Sequence, residues 1–253
     1  MCRDNSARGV PVLCALLLLA VFPQRATAGS TFVQINLVPD AMGRADNYDP
    51  NLKKPWGIAF AVNSLDFEPS IGHRYAYDGA GNTIPLVVGI PPVGFPTGPT
   101  GQLFNSNSSF NLPDGSPAHF LFDTLDGRIL GWNGARHGGY GCDRGRRRVH
   151  GARDRRSGGA NYIYAADNTG HITVFDSSFN NVTGTTFAGK FVDPNAVTGF
   201  HPFNIQNIGG NLYVTYAAVN AQGVGWPGGF VDEFNSSGAF LGRIATGGSL
   251  NAP

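Results

Sequence analysis

The side chains that could do chemistry are few and scattered along the chain. Six histidines occur in 253 residues, and none has a neighbour at metal-ligand spacing. The sequence contains no H-E-x-x-H, G-x-S-x-G, P-loop or C-x-x-C motif. Cys142 is the single cysteine after residue 28, so an internal disulfide is excluded there. These features argue against motif-based metal, nucleophilic or redox chemistry.

Close acidic pairs are the remaining candidates for acid–base or cation chemistry. Asp126 precedes Gly127, and a D-G turn explains its position without a function. Asp232 and Glu233 are adjacent in a strand-like run, so strand alternation directs their side chains to opposite faces. Only two glutamates occur in the chain, which disfavours an enzyme with an acidic central channel. The three pairs are Asp66/Glu68, Asp123/Asp126 and Asp232/Glu233.

Polar side chains also recur at equivalent points of the chain. The tripeptide DPN occurs at 49–51 and 193–195, each time shortly before a repeated motif. These residues are candidates for a loop rim or a central channel, and Asx turns and strand caps are the alternative roles. The candidates are Asp49, Asn51, Asp193, Asn195 and Asn204. No cofactor is expected, and Ca²⁺ is the one ion that such an oxygen-rich set suggests.

Two motifs repeat and predict the elements that position these residues. P-x-G-x-x-F begins at Pro55 and Pro99, a looser copy begins at Pro202, and Pro253 begins another unit. The gap between Pro99 and Pro202 is about two units long, so a further unit is predicted to start near residue 150. The second motif, G-x-[IV]-x-x-[FW]-[DN], follows a strand-like run three times, at 127–133, 170–176 and 229–235. Its glycine supplies the positive φ of a hairpin turn, and its final Asn or Asp turns the chain into the next strand.

The repeat period indicates the fold class. Lys, Glu, Met and Gln are scarce, which disfavours long amphipathic helices. Units of about 44 to 51 residues with several short strands match the blades of β-propellers. A β-sandwich is the alternative, but it lacks such a period. We therefore predict an all-β chain that forms a β-propeller, here an incomplete ring of about four to five blades. The aromatic residues predicted in the blade cores are Trp56, Phe60, Phe104, Trp132, Phe175, Phe203 and Phe234.

The first 28 residues have the pattern of a secretory signal peptide. Arg3 and Arg8 precede an apolar run over 10–22, and residues 26–28 form an A-x-A cleavage sequence. The apolar run is too short to span a bilayer, although a buried helix or an anchor is the alternative. We predict cleavage after Ala28 and a propeller domain over 29–253 without a transmembrane segment. The expected location is secreted or in the cell envelope.

Charge is concentrated in one segment. Residues 135–160 hold eight of the 18 basic residues, whereas the rest of the mature chain is acidic. This segment has no apolar periodicity, and clean strands flank it, so we predict an irregular segment. Three interpretations are open: a reading-frame error in the coding DNA, a disordered loop, and a polyanion-binding patch. The predicted export and the lack of interleaved aromatics beyond Tyr140 disfavour a nucleic-acid partner.

The order of these motifs resembles a bacterial family of exported NHL- or TolB-like six-bladed β-propellers, some of which carry a PEP-CTERM sorting tail. The similarity covers about 35–60, 75–133 and 161–253, and its most specific stretch is PFNIQNIGG-LYVTYA within 202–217. Family members continue past the equivalent of Pro253, so the resemblance implies a chain truncated at its C-terminus. It implies the fold and export, and it brings no activity.

Two classes of function stay open. The first is an exported, non-catalytic propeller that binds an extracellular protein or carbohydrate through its loops or channel. The second is a propeller hydrolase or lactonase with a central metal site, which rests on analogy between folds. The binding module is favoured, and its ligand is not specified by the sequence.

We expect the 253-residue chain to be poorly stable or to aggregate. A missing blade exposes the apolar faces of its neighbours, at about 25 cal/mol per Å². Resequencing the locus tests the reading-frame hypothesis, which an intact frame through the arginine codons would remove. A sharp thermal transition of the monomer would contradict the expected instability.

Overall fold

The structure is a computed structural model, and it describes strands and turns in most of the second half of the chain and in parts of the first. The described residues are 37–38, 47–50, 52, 59–60, 66–70, 73–89, 99–134, 149–167, 169–219, 225–247 and 250. They belong to one compact unit, Asn36–Pro253. Within these ranges there is no helix, and therefore none that could cross a membrane. The predicted signal peptide, Asn51 and Trp56 lie outside them.

Four antiparallel sheets follow one another along this part of the chain, and consecutive strands are neighbours in each. Sheet 1 contains β1 (Ala59–Phe60), β2 (Asp66–Ser70), β3 (His73–Tyr77) and β4 (Thr83–Gly89). Sheet 2 contains β5 (Pro99–Phe104), β6 (Phe120–Thr124) and β7 (Ile129–Trp132). Sheet 3 contains β8 (Val149–Ser157), β9 (Ala160–Asp167) and β10 (Ile172–Phe175). Sheet 4 contains β11 (His201–Ile208), β12 (Asn211–Val219), β13 (Gly225–Phe234) and β14 (Phe240–Thr246).

The sheets repeat at the period that the sequence predicted. Their first strands begin at Ala59, Pro99, Val149 and His201. The motifs placed unit starts at 55, 99, near 150 and 202, so each sheet begins within a few residues of a predicted start. The all-β prediction and the repeat are confirmed in the described part of the chain.

The arginine-rich segment contains a strand where an irregular segment was predicted. β8 pairs with β9 from Val149 opposite Asp167 to Ser157 opposite Ala160. Ladder hydrogen bonds come from the backbone, so β9 can pair with a strand whose side chains lack apolar periodicity. The prediction of irregularity is therefore wrong for 149–157. Residues 135–148 lie outside the described residues, and the reading-frame hypothesis stays a prediction.

The predicted hairpins are present. β6 and β7 are joined by a turn in which the Gly127 N–H donates to the Thr124 carbonyl at 2.9 Å, and Gly127 has φ 83°. Gly170 takes the same role between β9 and β10 with φ 93°. Both values lie in the left-handed region that glycine adopts without steric cost. In the third copy of the motif, β12 and β13 pair as far as Val219 opposite Gly225, so this hairpin is longer than the other two.

Asx turns follow the third strands of sheets 3 and 4, β10 and β13. The final Asp or Asn of the repeated motif predicted them. The Asp176 Oδ1 accepts the N–H groups of Ser178 and Asn180, both at 2.9 Å. The Asn235 Oδ1 accepts the Ser237 and Ala239 N–H groups at 3.0 and 2.9 Å. These bonds satisfy backbone donors at the point where the chain reverses.

Alternate residues of the middle sheets face opposite neighbours. In β9, Ile163 and Ala165 pack in the core between sheets 2 and 3, whereas Tyr164 and Ala166 pack in the core between sheets 3 and 4. A third core lies between sheets 1 and 2 and includes Trp132. The period-two alternation of a strand produces this division. Because both faces are buried, β6, β7, β9 and β10 are rich in apolar residues without the alternation of a half-buried strand.

The predicted core aromatics are mostly in these interfaces. Trp132, Phe175 and Phe234 are buried, and half-buried Phe104 packs against the core between sheets 1 and 2. Phe203 is half-buried and lies where the register of β11 shifts, between Pro202 and Asn204. Ile205, with 1% of its surface exposed, lies in the core instead. Trp56 and the side chain of Phe60 lie outside the described part of the structure.

The first strands of successive sheets lie beside one another. β5 contacts β1 and β8, and β8 contacts β11. The sheets therefore pack face to face while their first strands form a common edge. In the part of the chain that the structure describes, the four sheets do not close into a ring.

Three phenylalanines adopt a backbone conformation that bulky side chains rarely take. Phe110 and Phe179 have φ 62°, and Phe191 has φ 57°. Such a conformation costs about 1–3 kcal/mol. Phe110 and Phe179 lie in the core between sheets 2 and 3, with their rings edge to face at 5.8 Å. Burial of the rings therefore offsets the backbone strain.

Substitution of Phe179 separates these two effects. Phe179→Ala keeps the left-handed φ but loses the ring, and we expect a loss of about 3–5 kcal/mol in the free energy of unfolding. Phe179→Gly loses the same ring without the strain, so it should be about 1 kcal/mol more stable than the alanine variant. Urea unfolding measures both.

Phe187 is the matched control because it is buried without a positive φ. There the order should reverse, since glycine lowers the stability of an ordinary backbone position. A glycine variant at 179 that is less stable than the alanine variant would contradict the strain argument.

Candidate functional site

The aspartates of the two DPN tripeptides accept the same backbone hydrogen bond, from the residue three positions along the chain. The Leu52 N–H donates to the Asp49 carbonyl at 3.2 Å, and the Ala196 N–H donates to the Asp193 carbonyl at 3.3 Å. Both aspartates are buried, with 6% and 9% of their surface exposed. The Asp193 Oδ1 also accepts the Asn195 N–H at 2.7 Å, which is the Asx turn that the sequence offered as an alternative role.

Each DPN carboxylate also accepts a hydrogen bond from a strand of the sheet that follows it. The Tyr77 hydroxyl, in β3, donates to the Asp49 Oδ2 at 2.9 Å. The Arg243 Nη2, in β14, donates to the Asp193 Oδ2 at 2.6 Å. The two turns therefore attach the chain that precedes sheets 1 and 4 to strands inside those sheets.

The five predicted candidates do not converge on one site. Asp193 and Asn195 lie beside Arg243, whereas Asp49 belongs to the turn before sheet 1. Asn204 lies at the register shift in β11, where its N–H donates to the Thr215 Oγ1 at 3.0 Å and its Oδ1 accepts the Ile205 N–H at 2.7 Å. Asn51, the fifth candidate, lies outside the described residues.

Arg243 is the centre of a charged cluster at the edge of the core between sheets 3 and 4. Its Nε donates to the Asp232 Oδ1 at 2.8 Å, and its Nη2 donates to Asp193 and, at 3.2 Å, to the Asn195 carbonyl. Its Cζ lies 3.7 Å from the centroid of the Phe230 ring, which is a cation–π contact. The cluster holds the loop around Asp193 against β13 and β14.

The electrostatics of this cluster are set by two carboxylates that share one guanidinium. Burial raises the pKa of Asp232, and the charge of Asp193 adds to this effect against the opposing contribution of Arg243. The hydrogen bond to Asp232 raises the pKa of Arg243. Burial, together with the nearby Asp232, raises the pKa of Tyr216, whose ring stacks on Phe230 at 4.5 Å.

From the sequence, Asp232 belongs to an acidic pair, and Arg243 was not among the candidate residues. The two members of the pair do face opposite sides of sheet 4, since Asp232 contacts Arg243 and Glu233 contacts Tyr213. A signal was available, because Asp232 alternates with the buried Phe230 and Phe234 and so requires a cation. The identity of that cation depends on the register between β13 and β14.

Another buried carboxylate stabilises a turn. Asp167 is fully buried, and its oxygens accept the Thr169 hydroxyl at 2.6 Å and the Thr173 hydroxyl at 2.7 Å. Burial acts to raise the pKa of Asp167, but the hydrogen bonds from Thr169 and Thr173 hold it below its usual value. Among the residues described, no group of three or more His, Cys, Asp or Glu could hold a metal ion, so the suggested Ca²⁺ has no cluster there.

Sheet 4 has a polar face opposite the core between sheets 3 and 4. Gln206, Tyr213 and Glu233 lie directly across from one another on β11, β12 and β13. A second row, two residues along each strand, continues the same face, and no member of either row is buried. We call this surface the polar face; its residues are Asn204, Gln206, Tyr213, Thr215, Val231 and Glu233.

These features define an all-β protein of repeated antiparallel sheets packed face to face. No protein-family model matches the chain. It is similar to two uncharacterised proteins of Acanthamoeba polyphaga mimivirus, with 28% and 30% identity over 248 residues and 91% of this chain. The chain spans 65% and 61% of the length of these relatives. Because the relatives are viral, the resemblance to a bacterial exported family stays a prediction.

Solved structures similar to this chain include β-propeller proteins. BBS1N, in complex with ARL6DN, has a TM-score of 0.49 and 14% identity over 76% of this chain and 55% of that chain. BamB from Moraxella catarrhalis has a TM-score of 0.38 and 13% identity over 76% and 64%. Streptogramin B lyase has a TM-score of 0.35 and 10% identity over 77% and 69%. All three scores lie below 0.5.

The charged cluster predicts a pH dependence of stability. The folded-state pKa of Asp232 lies above its unfolded value of about 3.9. The stability linked to this group is therefore complete below about pH 4 and is lost as the pH rises through the folded pKa. Asp232→Asn removes the titration, so the free energy of unfolding of the wild type relative to this variant should fall between pH 4 and pH 7. Urea unfolding across that range measures it.

Asp114 provides a control of the opposite sign. Hydrogen bonds from Ser116 lower the pKa of this exposed carboxyl group, so its contribution is lost only as the pH falls below about 4. Comparison of the wild type with Asp114→Asn should show no decline between pH 4 and pH 7. Parallel pH profiles for the wild type and Asp232→Asn would contradict the assignment.

Proposed function

We propose that this chain is part of an exported β-propeller that acts as a non-catalytic binding module. The period of the four sheets, the burial of both faces of sheets 2 and 3, and the common edge formed by the first strands all support a radial arrangement of blades. Since four sheets do not close the ring, we infer that the complete propeller has further blades.

The observation that carries the proposal is that the candidate polar residues within the described part of the chain stabilise the fold. Asp49, Asp193 and Asn204 each form hydrogen bonds that hold a turn or a bulge in place. A propeller of packed sheets instead presents the loops between its strands at one rim. Loops held on a rigid scaffold suit ligand recognition.

Export is supported by the charged and apolar pattern of residues 1–28 and by the A-x-A sequence that ends it. We place the protein outside the cell or in its envelope, with an extracellular carbohydrate or protein as ligand. The acidic balance outside the arginine-rich segment disfavours nucleic acid.

Expression of the full chain in a bacterium, with mass spectrometry of the product, tests export. A mature N-terminus at Gly29 in the medium or envelope is expected. An unprocessed cytoplasmic product would contradict it.

Binding is tested by surface plasmon resonance over immobilised neutral polysaccharides, acidic polysaccharides, peptidoglycan and extracellular proteins, with ester and lactone hydrolysis measured in parallel. We expect saturable binding to at least one class without turnover. Turnover that is lost in Asp193→Asn would contradict the non-catalytic proposal and favour the hydrolase alternative.

A further inference from the structure

We propose that Asp193, Asp232 and Arg243 form a pH-dependent latch, which holds the loop 192–199 against sheet 4 in acid and releases it as the pH rises towards neutrality. The inference concerns the conformation of this loop, and it does not depend on the proposed binding function. It rests on the anchors of the loop, on the partners of one guanidinium and on the charges around that guanidinium. All of these groups lie at the junction of sheets 3 and 4.

The loop 192–199 lies in the connection between sheets 3 and 4, and Asp193 is the one buried residue within it. Aromatic rings anchor both of its ends. The ring of Phe191 lies 5.6 Å from a phenylalanine ring of β13, and the ring of Phe200 lies at the same distance from another ring of that strand. These rings do not titrate. The position of the loop between its anchors therefore depends on the contacts of Asp193.

Arg243 is held in place independently of the loop. Its Nε donates to the Asp232 Oδ1 at 2.8 Å, and its Cζ lies 3.7 Å from the centroid of the Phe230 ring. Both partners belong to β13, so these contacts remain when the loop moves. The Arg243 Nη2 donates to the loop, to the Asp193 Oδ2 at 2.6 Å and to the Asn195 carbonyl at 3.2 Å. The guanidinium is thus a fixed site that the loop carboxylate binds.

Two carboxylates compete for this single cation. The Nη2 atom that donates to Asp193 also donates to the Asp232 Oδ2 at 3.3 Å. When both carboxyl groups are ionised, the cluster has one negative charge in excess, and the two carboxylates repel each other. Protonation of Asp232 removes this repulsion and leaves Asp193 as the one anion of the cluster beside Arg243. The neutral carboxyl group can also donate a hydrogen bond to Asp193.

The buried strand residue, Asp232, is the group that takes up the proton. Burial raises its pKa, and the charge of Asp193 adds to this effect against the opposing contribution of Arg243. Among the described side chains, Tyr216 also faces the two carboxylates, and its own pKa is raised, so it stays neutral in this range. The loop contact is therefore strongest below the folded pKa of Asp232 and weakens as the pH rises through it.

Backbone amides in the loop report whether it is attached. The Asn195 N–H donates to the Asp193 Oδ1 at 2.7 Å, and the Ala196 N–H donates to the Asp193 carbonyl at 3.3 Å. Release of Asp193 frees this turn to open, so both amides should then exchange faster with solvent. The Lys190 N–H provides a reference, because it donates to the Phe187 carbonyl at 3.0 Å just before the loop.

The test is hydrogen exchange of the full chain, followed at individual amides by NMR between pH 4 and pH 7. Each rate is divided into the intrinsic rate of an unfolded amide at the same pH, which gives a protection factor. We expect the protection factors of Asn195 and Ala196 to fall about tenfold over this range, which corresponds to a difference of one pKa unit between the attached and released loop. The protection factor of Lys190 should change less.

Two substitutions fix the latch in opposite states. The amide of Asp232→Asn can donate to Asp193 as the protonated carboxyl group does, so protection of Asn195 should be high at every pH. Asp193→Asn keeps an oxygen for the turn but removes the charge that Arg243 binds, so protection should be low at every pH. Asp176→Asn is the matched control, because Asp176 forms the same kind of turn after β10. It should keep the wild-type profile at Asn195.

Three results would overturn the inference. They are protection of Asn195 and Ala196 that is constant or rises from pH 4 to pH 7, a wild-type pH profile in Asp232→Asn, and an equal fall at Lys190, since unfolding of the whole chain exposes all three amides together. These measurements use no ligand. Their failure would leave the proposed binding function standing, and a chain that binds no ligand in the plasmon resonance panel can still show the latch.

Discussion

Burial of both faces of each middle sheet is the constraint on which the rest of the structure depends. Strand alternation sends Ile163 to one neighbouring sheet and Tyr164 to the other, so sheet 3 is stable only between sheets 2 and 4. The same holds for sheet 2. Apolar side chains removed from water on both faces contribute the largest favourable term, and the short turns between strands keep each sheet a local unit.

Charged groups are compatible with this packing where a hydrogen-bond donor or an opposite charge lies beside them in the fold. Asp232 lies in an apolar stripe of β13, and its burial would be costly without the guanidinium of Arg243. Arg243 in turn binds Asp193, so the loop before sheet 4 is held against that sheet. Before sheet 1, the Asp49 carboxylate accepts a hydrogen bond from the uncharged Tyr77 hydroxyl, and this bond has the same role. The polar residues near the repeat starts therefore serve assembly.

Much of the fold could be predicted from short motifs. The turns at Gly127 and Gly170 follow from glycine's access to positive φ, and Trp132, Phe175 and Phe234 are buried as their shared motif position indicated. Two predictions were not met, for reasons that short motifs do not contain. Phe203 is displaced from the core by a register shift, and residues 149–157 form a strand through backbone pairing with β9. Neither a bulge nor a paired polar strand has an apolar pattern to reveal it.

The sequence by itself determined the period of the units, the positions of the hairpin turns and the opposite directions of Asp232 and Glu233. These properties depend on backbone geometry and alternation within a few residues. Only the tertiary structure decided that Arg243 joins Asp232 to Asp193, which is 50 residues away, and that Gln206, Tyr213 and Glu233 form one row. Such neighbours are set by strand register and by the packing of sheets, and a change of one residue in register would send each side chain to the other face.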